Sequence, residues 1–278
     1  MGKKLTLHLQ QNTTLERVAS IVEFCSQGGT DLDELGVTCG LGASVLQKVV
    51  FPFLRSVSIL SKKNPPTLTD LGWVAAKIHQ ENPAILSEFF HSLIYNLHYQ
   101  EPDKRFSWVY STVVQQLWQR KEVVLSVMEK NSLVSQVIEA ATEKFDLPSD
   151  EIAFSSNSIT GVLNWLRTLE PSVVDSGSKA EHFNLRYFCA APAIVKAVDN
   201  IYQQGDRTYG VKIFLRENVQ DALCQMLLLD PSGLPGVLDN AKATYDYDEG
   251  SFFDWGYEGG YGQWVMLNKP VDWLELIT

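Results

Sequence analysis

The side chains whose type and spacing could do chemistry lie near the N-terminus. Ser44, Gln47 and Lys48 fall on the outward face of a helix predicted to begin near Gly42. A glutamine amide can pair with adenine through N6 and N7, and a lysine can reach guanine or a phosphate. Arg55 follows, then Lys62 and Lys63 inside the polar, breaker-rich tip Ser61-Lys62-Lys63-Asn64-Pro65-Pro66. Cations in such a place would grip phosphates. These six residues form the expected DNA-binding set, with duplex DNA as a weakly held partner.

Other candidate chemistry is thin. His91 and His98 are seven residues apart and share a helix face, but no third ligand has a convincing spacing, so no metal is expected there. Asp246-Tyr247-Asp248-Glu249-Gly250 resembles a calcium loop only faintly, lacking its third acid and its distal glutamate. The four cysteines, Cys25, Cys39, Cys189 and Cys224, form no C-x-x-C pair and read as small buried apolar residues. There is no G-x-S-x-G elbow, no Walker A sequence and no G-x-G-x-x-G after a strand. The expectation is a protein that is not an enzyme and holds no cofactor.

The elements that would position the six residues read as a mainly α fold opening with a winged helix-turn-helix over residues 1–80. Thr13-Thr14-Leu15-Glu16 has capping-box spacing, and Leu15, Val18, Ala19, Val22 and Cys25 continue as a helix that Gly28-Gly29 stops. Thr30 or Asp31 caps a short second helix, and Gly36 to Gly40 is its turn. A third helix carries Val45, Leu46, Val49 and Val50, with Pro52 expected to end or kink it near Phe51. Val57 to Leu60 and Thr67 to Thr69 read as short strands around the basic tip. Asp70 would then cap a helix bearing Leu71, Val74, Ala75 and Ile78.

Residues 81–171 read as a helical region. Ile85 to Leu97 carries a broad apolar face, and residues 132–170 fit either a second helix-turn-helix or a plain helix pair. Ser172 to Glu181, small and polar, reads as a linker. Residues 182–278 form an acidic, aromatic-rich, mainly helical C-terminal domain. Within it, Thr244 to Trp264 reads either as a surface loop whose Tyr247, Phe253, Trp255 and Tyr257 would dock a protein partner, or as a loop whose rings complete the domain's own core.

Charge divides the chain. Residues 1–140 carry 13 basic and 13 acidic side chains, whereas residues 141–278 carry 10 basic against 20 acidic. The second half would repel a phosphate backbone and suits other protein subunits better. No apolar run reaches the ~18 residues of a membrane span, and Leu5 to Gln10 is too short and polar for a signal peptide, so a cytoplasmic protein without membrane contact is expected.

Several stretches resemble an uncharacterised prokaryotic winged-helix family of anti-phage defence islands. They are Gly36 to Gly42, Leu54 to Leu60, Leu68-Thr69-Asp70-Leu71-Gly72, Asn82-Pro83-Ala84 and Phe106 to Tyr110. Members of that family are often encoded beside sulfurtransferase-like genes of DNA phosphorothioation systems. The resemblance, confined mainly to the N-terminal half, implies a DNA-contacting accessory subunit of a defence or DNA-modification complex. Two other functions fit the same residues: a protein-interaction scaffold whose winged helix never touches DNA, and a winged-helix transcriptional regulator.

Overall fold

The computed structural model describes residues 4–176, 180–245 and 251–277. The mainly α expectation holds. The first four helices are α1 (Leu15–Ser26), α2 (Leu32–Cys39), α3 (Ala43–Ser56) and α4 (Asp70–Glu81). Then come α5 (Leu86–Gln100), α6 (Arg105–Arg120), α7 (Val127–Phe145) and α8 (Ser156–Leu166). The last are α9 (Ala191–Gln204), α10 (Glu217–Leu227), α11 (Leu234–Tyr245) and α12 (Trp273–Ile277). Among the described residues, no single helix is long and apolar enough to cross a membrane.

Short strands tie distant parts of the chain together. β1 (Leu5–Thr6) runs parallel to β3 (Ile152–Ala153). β2 (Glu122–Val124) and β4 (Val174–Ser176) flank β5 (Glu181–Asn184) in an antiparallel sheet. β7 (Phe253–Glu258) and β6 (Ile213–Phe214) flank β8 (Gly262–Leu267) in another. One cluster of buried apolar side chains runs from Leu5 to Leu276, crossing the expected divisions near residues 80 and 171.

The segment before α1 is more structural than its polar residues suggest. Leu5, Leu7 and Leu9 alternate inward, as the period-two geometry of an extended chain requires. The Leu7 amide donates to Ala153 O at 3.0 Å. Gly161 on α8 lets the Leu9 carbonyl lie where a side chain would stand, since an added Cβ would come within 2.3 Å of that oxygen.

Four local expectations are corrected. Pro52 does not end the third helix. The helix widens into a π turn over Leu46–Val50, and Pro52 sits in the first turn of the α-helical stretch Phe51–Ser56. The π turn shifts the bonding register just where the proline brings no N–H, so the chain continues to Ser56. Ser172 to Glu181 is not simply a linker: β4 and β5 pair there, because Val173, Val174 and Phe183 turn inward between the polar residues. The stretch from Thr244 to Trp264 is not a surface loop throughout. Residues from Phe253 onward pair with β8 in six register pairs, and Gly256 makes room for the Trp264 indole, 3.0 Å from where a Cβ would stand. Finally, the expected capping box from Thr13 to Glu16 is not formed: α1 starts one residue later, on Thr14, which makes no side-chain cap, and the Thr13 hydroxyl donates to Gln10 O at 2.6 Å instead.

The centre of the fold mixes rings with a buried polar network. Trp165 of α8 lies 5.9 Å from Phe53 of α3 and 5.5 Å from Phe90 of α5, centroid to centroid, joining the N-terminal helices to the rest. On α5, the Glu88 carboxylate takes both terminal nitrogens of Arg186, one at 3.0 Å. Arg186 Nε donates to Leu227 O at 2.8 Å. One turn along α5, the His91 ring bonds Tyr110 Oη and Met226 O, both at 2.7 Å. Glu88, Arg186, His91 and Tyr110 each have a partner, which removes most of the cost of burying them, whereas the buried Trp165 Nε1 beside them meets no acceptor among the described residues.

Candidate nucleic-acid interface

Helices α2 and α3 are bent by 94° across Gly40-Leu41-Gly42. The turn is sharp because Gly40 adopts a left-handed φ of 61° at the end of α2, a conformation that costs a glycine little. Gly36 lets the Leu41 carbonyl fold back against α2, 2.7 Å from where a Cβ would be. Asp31 fixes the other end of α2, accepting from the amides of Asp33 and Glu34 at 2.9 and 3.3 Å. Helix-turn-helix units turn through roughly 90–120° over three or four residues, often with a glycine.

Leu46, Val50, Phe51 and Leu54 bury one side of α3. Ser44, Gln47 and Lys48 are exposed on its other side, near its N-terminal end. The three residues expected to reach base edges are therefore brought together on a free helical surface.

The hairpin after α3 is small and firmly held. Leu60 and Leu68 form one antiparallel bridge, and Ser61 N donates to Thr67 O at 2.8 Å. Arg55 closes it from the side. Its Nε donates to Ser61 O at 3.0 Å and its Nη2 to Lys63 O at 3.1 Å. Arg55 was expected to grip phosphate; instead its half-buried guanidinium braces the tip from within. Lys62 and Lys63 are exposed at that tip.

Leu68-Thr69-Asp70-Leu71-Gly72 performs the closure. Thr69, not the expected Asp70, caps α4: its hydroxyl accepts from Gly72 N at 3.1 Å. The same hydroxyl donates to Ser58 O, and Thr69 N donates to Ile59 O at 3.1 Å. Gly72 has to lack a side chain, because a Cβ would meet Ile59 O at 2.3 Å. Lys104 adds a link that sequence reading missed: its Nζ donates to Ser56 O at 3.0 Å, tying the end of α3 to the start of α6. A lysine 48 residues away in sequence gives no pattern from which that bond could be read.

The residues expected to dock a partner are not brought together. Tyr247, like the whole Asp246 to Gly250 stretch, lies outside the described residues. Phe253 is fully buried in the core and cannot meet a partner. Trp255 is half-buried against that core, and Tyr257 alone of the described three is well exposed. Other exposed apolar side chains are scattered over the surface, from Val37 and Trp73 to Met128, Tyr187 and Tyr261.

His91 and His98 do not face a common site. Burial drives the His91 pKa down to about 4, and both of its ring nitrogens are engaged. Burial also lowers that of His98 to about 4, where Nδ1 meets Ser107 Oγ at 3.1 Å. All four cysteines are free thiols. Burial pushes Cys25 up to about 11 and Cys189 and Cys224 up to about 12, so they remain protonated and unreactive at neutral pH.

Compared with protein-family models, curated proteins and solved structures, the chain matches none.

Proposed function

We propose that the N-terminal helices and hairpin act as a winged helix that contacts duplex DNA weakly, within a non-catalytic accessory subunit of a prokaryotic defence or DNA-modification complex. The observation that carries this reading is the hairpin braced by Arg55. It presents Lys62 and Lys63 beyond the end of the helix whose free face holds Ser44, Gln47 and Lys48. Such a module docks its second helix in the major groove and lays its hairpin along the backbone. The weakness follows from charge. Three free lysines release few counterions, and the chain carries a net charge of -10. Assembly with other subunits is supported by the charge of residues 141–278, which carry 10 basic against 20 acidic side chains and suit a protein surface better than a phosphate backbone.

Fluorescence anisotropy with a labelled duplex, titrated with salt, tests the reading. Three lysine–phosphate contacts predict a slope of about −2.7 in log K against log salt. Replacing Lys48, Lys62 and Lys63 together by Glu should abolish binding at low salt without lowering thermal stability. Absence of any low-salt affinity, alone and with co-purifying subunits, would remove DNA from the function. Binding that survives the triple replacement would move it to another surface.

A further inference from the structure

A cleft of about 280 Å³ opens between α4, α5, α9 and the start of α12, away from the α3 face and the hairpin tip. Leu71, Leu93, Phe89 and Trp273 supply its apolar wall, with Phe89 and Trp273 meeting edge to face at 5.6 Å. Its polar side is biased toward acceptors. Gln203 gives Nε2 to the Asp199 carboxylate at 2.8 Å, which fixes the amide and leaves Oε1 to accept. Asn200 is 7% exposed and directs Nδ2 toward Ser92 Oγ and Met226 Sδ, at 3.4 and 3.6 Å. Its Oδ1 accepts from no described residue. Asp272 caps α12 through Oδ1, accepting from Glu275 N at 3.0 Å, and keeps an exposed carboxylate beside the cleft.

The cation already present is neutralised. Lys196 Nζ lies 2.6 Å from Asp199 Oδ2 and 2.8 Å from Val271 O. Asp272 is therefore the unbalanced charge of the lining. Asn200, Gln203 and Asp272 offer acceptors here beside Ser92, Asn96 and Gln100; with a negative balance and an aromatic wall they select a ligand with the opposite features.

We propose that this cleft binds a small organic amine. Its ammonium would donate to Asn200, Gln203 and Asp272, and its apolar body would lie against Phe89 and Trp273. An ammonium carries three donors, and Asn200, Gln203 and Asp272 each offer it an acceptor. Ligand clefts usually enclose roughly 300–1,000 Å³, so this one suits a single-ring amine rather than a nucleotide. The site stands on its own geometry and does not depend on the DNA reading.

Titration calorimetry of the full chain with 2-phenylethylamine at neutral pH tests it, with 2-phenylethanol as the uncharged counterpart. The expected result is saturable one-to-one binding of the amine, with the alcohol at least about tenfold weaker. A hydrogen bond to a charged group is typically strong enough for a tenfold effect. Asp272→Asn and Gln203→Leu, both at exposed positions, should each weaken the amine by about tenfold; Asp272→Asn should melt as the parent does, and Gln203→Leu slightly lower, because the buried Asp199 carboxylate loses one donor but keeps Lys196 and Tyr209. Asn200→Leu should do the same, and the two exposed variants decide the matter if it fails to fold. No saturable binding, equal binding of the alcohol, or full affinity in both exposed variants would overturn the proposal.

Discussion

Replacing Arg186 by Met tests whether the buried network is a set of matched charges or a set of separable contacts. The Arg186 side chain is fully buried, and Glu88 beside it nearly so. The substitution keeps the length of the apolar stem but removes three interactions at once. Glu88 loses both of its nitrogen partners, Leu227 O loses the Nε donor at 2.8 Å, and Glu170 O loses a donor at 3.3 Å. Breaking a buried pair by removing one partner costs about 3–5 kcal/mol, because the other charge stays desolvated. For a chain of this size that is a fall of roughly 10 °C in melting temperature. Replacing both partners, Glu88→Leu with Arg186→Met, should recover most of the loss, since desolvation roughly cancels attraction in such pairs. Urea unfolding of the parent, both single variants and the double variant closes the cycle. A loss below about 1 kcal/mol in Arg186→Met, or a double variant no more stable than the worse single one, would refute the reasoning.

Three further outcomes follow from other contacts. His91 titrates near 4 when folded against an ordinary 6.5, so the unfolded chain takes up a proton first as pH falls. Stability should therefore decline from about pH 6.5 toward 4, by about 3 kcal/mol from this group. Glu88 and Arg186 are the charges facing it, and an unfolding free energy that stays flat down to pH 5 would contradict the assignment. Gly161→Ala should push the Leu9 carbonyl off α8, lowering stability by about 1–3 kcal/mol and exposing the first residues to protease; an unchanged proteolysis pattern would speak against that contact. Arg55→Ala should speed amide exchange at Ser61 and Thr67 at a global cost of only about 1–2 kcal/mol, because the arginine is partly solvated. Unaltered exchange there would show that the hairpin holds itself.

What could be read from the sequence was what local pattern controls. The helices from α1 to α6 announce themselves by apolar residues at three- and four-residue spacing. Gly40, Asp31 and the Leu68 to Gly72 stretch mark the ends and turns between them. The exposed face of α3 followed from the same periodicity, and the exposed tip from its polar, breaker-rich run. What stayed hidden were pairings fixed by tertiary contact. Arg55 looks like any surface cation until the carbonyls of Ser61 and Lys63 are seen beside it. Phe253 looked like a docking ring because its strand, rich in glycine and acids, carries a weak β signal without its partner β8. The alternation of Leu5, Leu7 and Leu9 was a usable signal, but three residues of it are too few to separate from chance. The cleft between α4 and α9 needed both helices in place before Asn200 and Trp273 could share a wall.

The parallel pairing of β1 with β3 sets the timing of biosynthesis. The partner of Leu5, Ile152, is made about 150 residues after it. At roughly 5–20 residues per second, that is a wait of roughly 7 to 30 seconds. Until then Leu5, Leu7 and Leu9 form a nascent extended segment with bare apolar side chains and unpaired amides, a template for wrong pairing. The earlier-made strand of this pair is thus finished late, and its correct closure is a checkpoint that follows synthesis of β3.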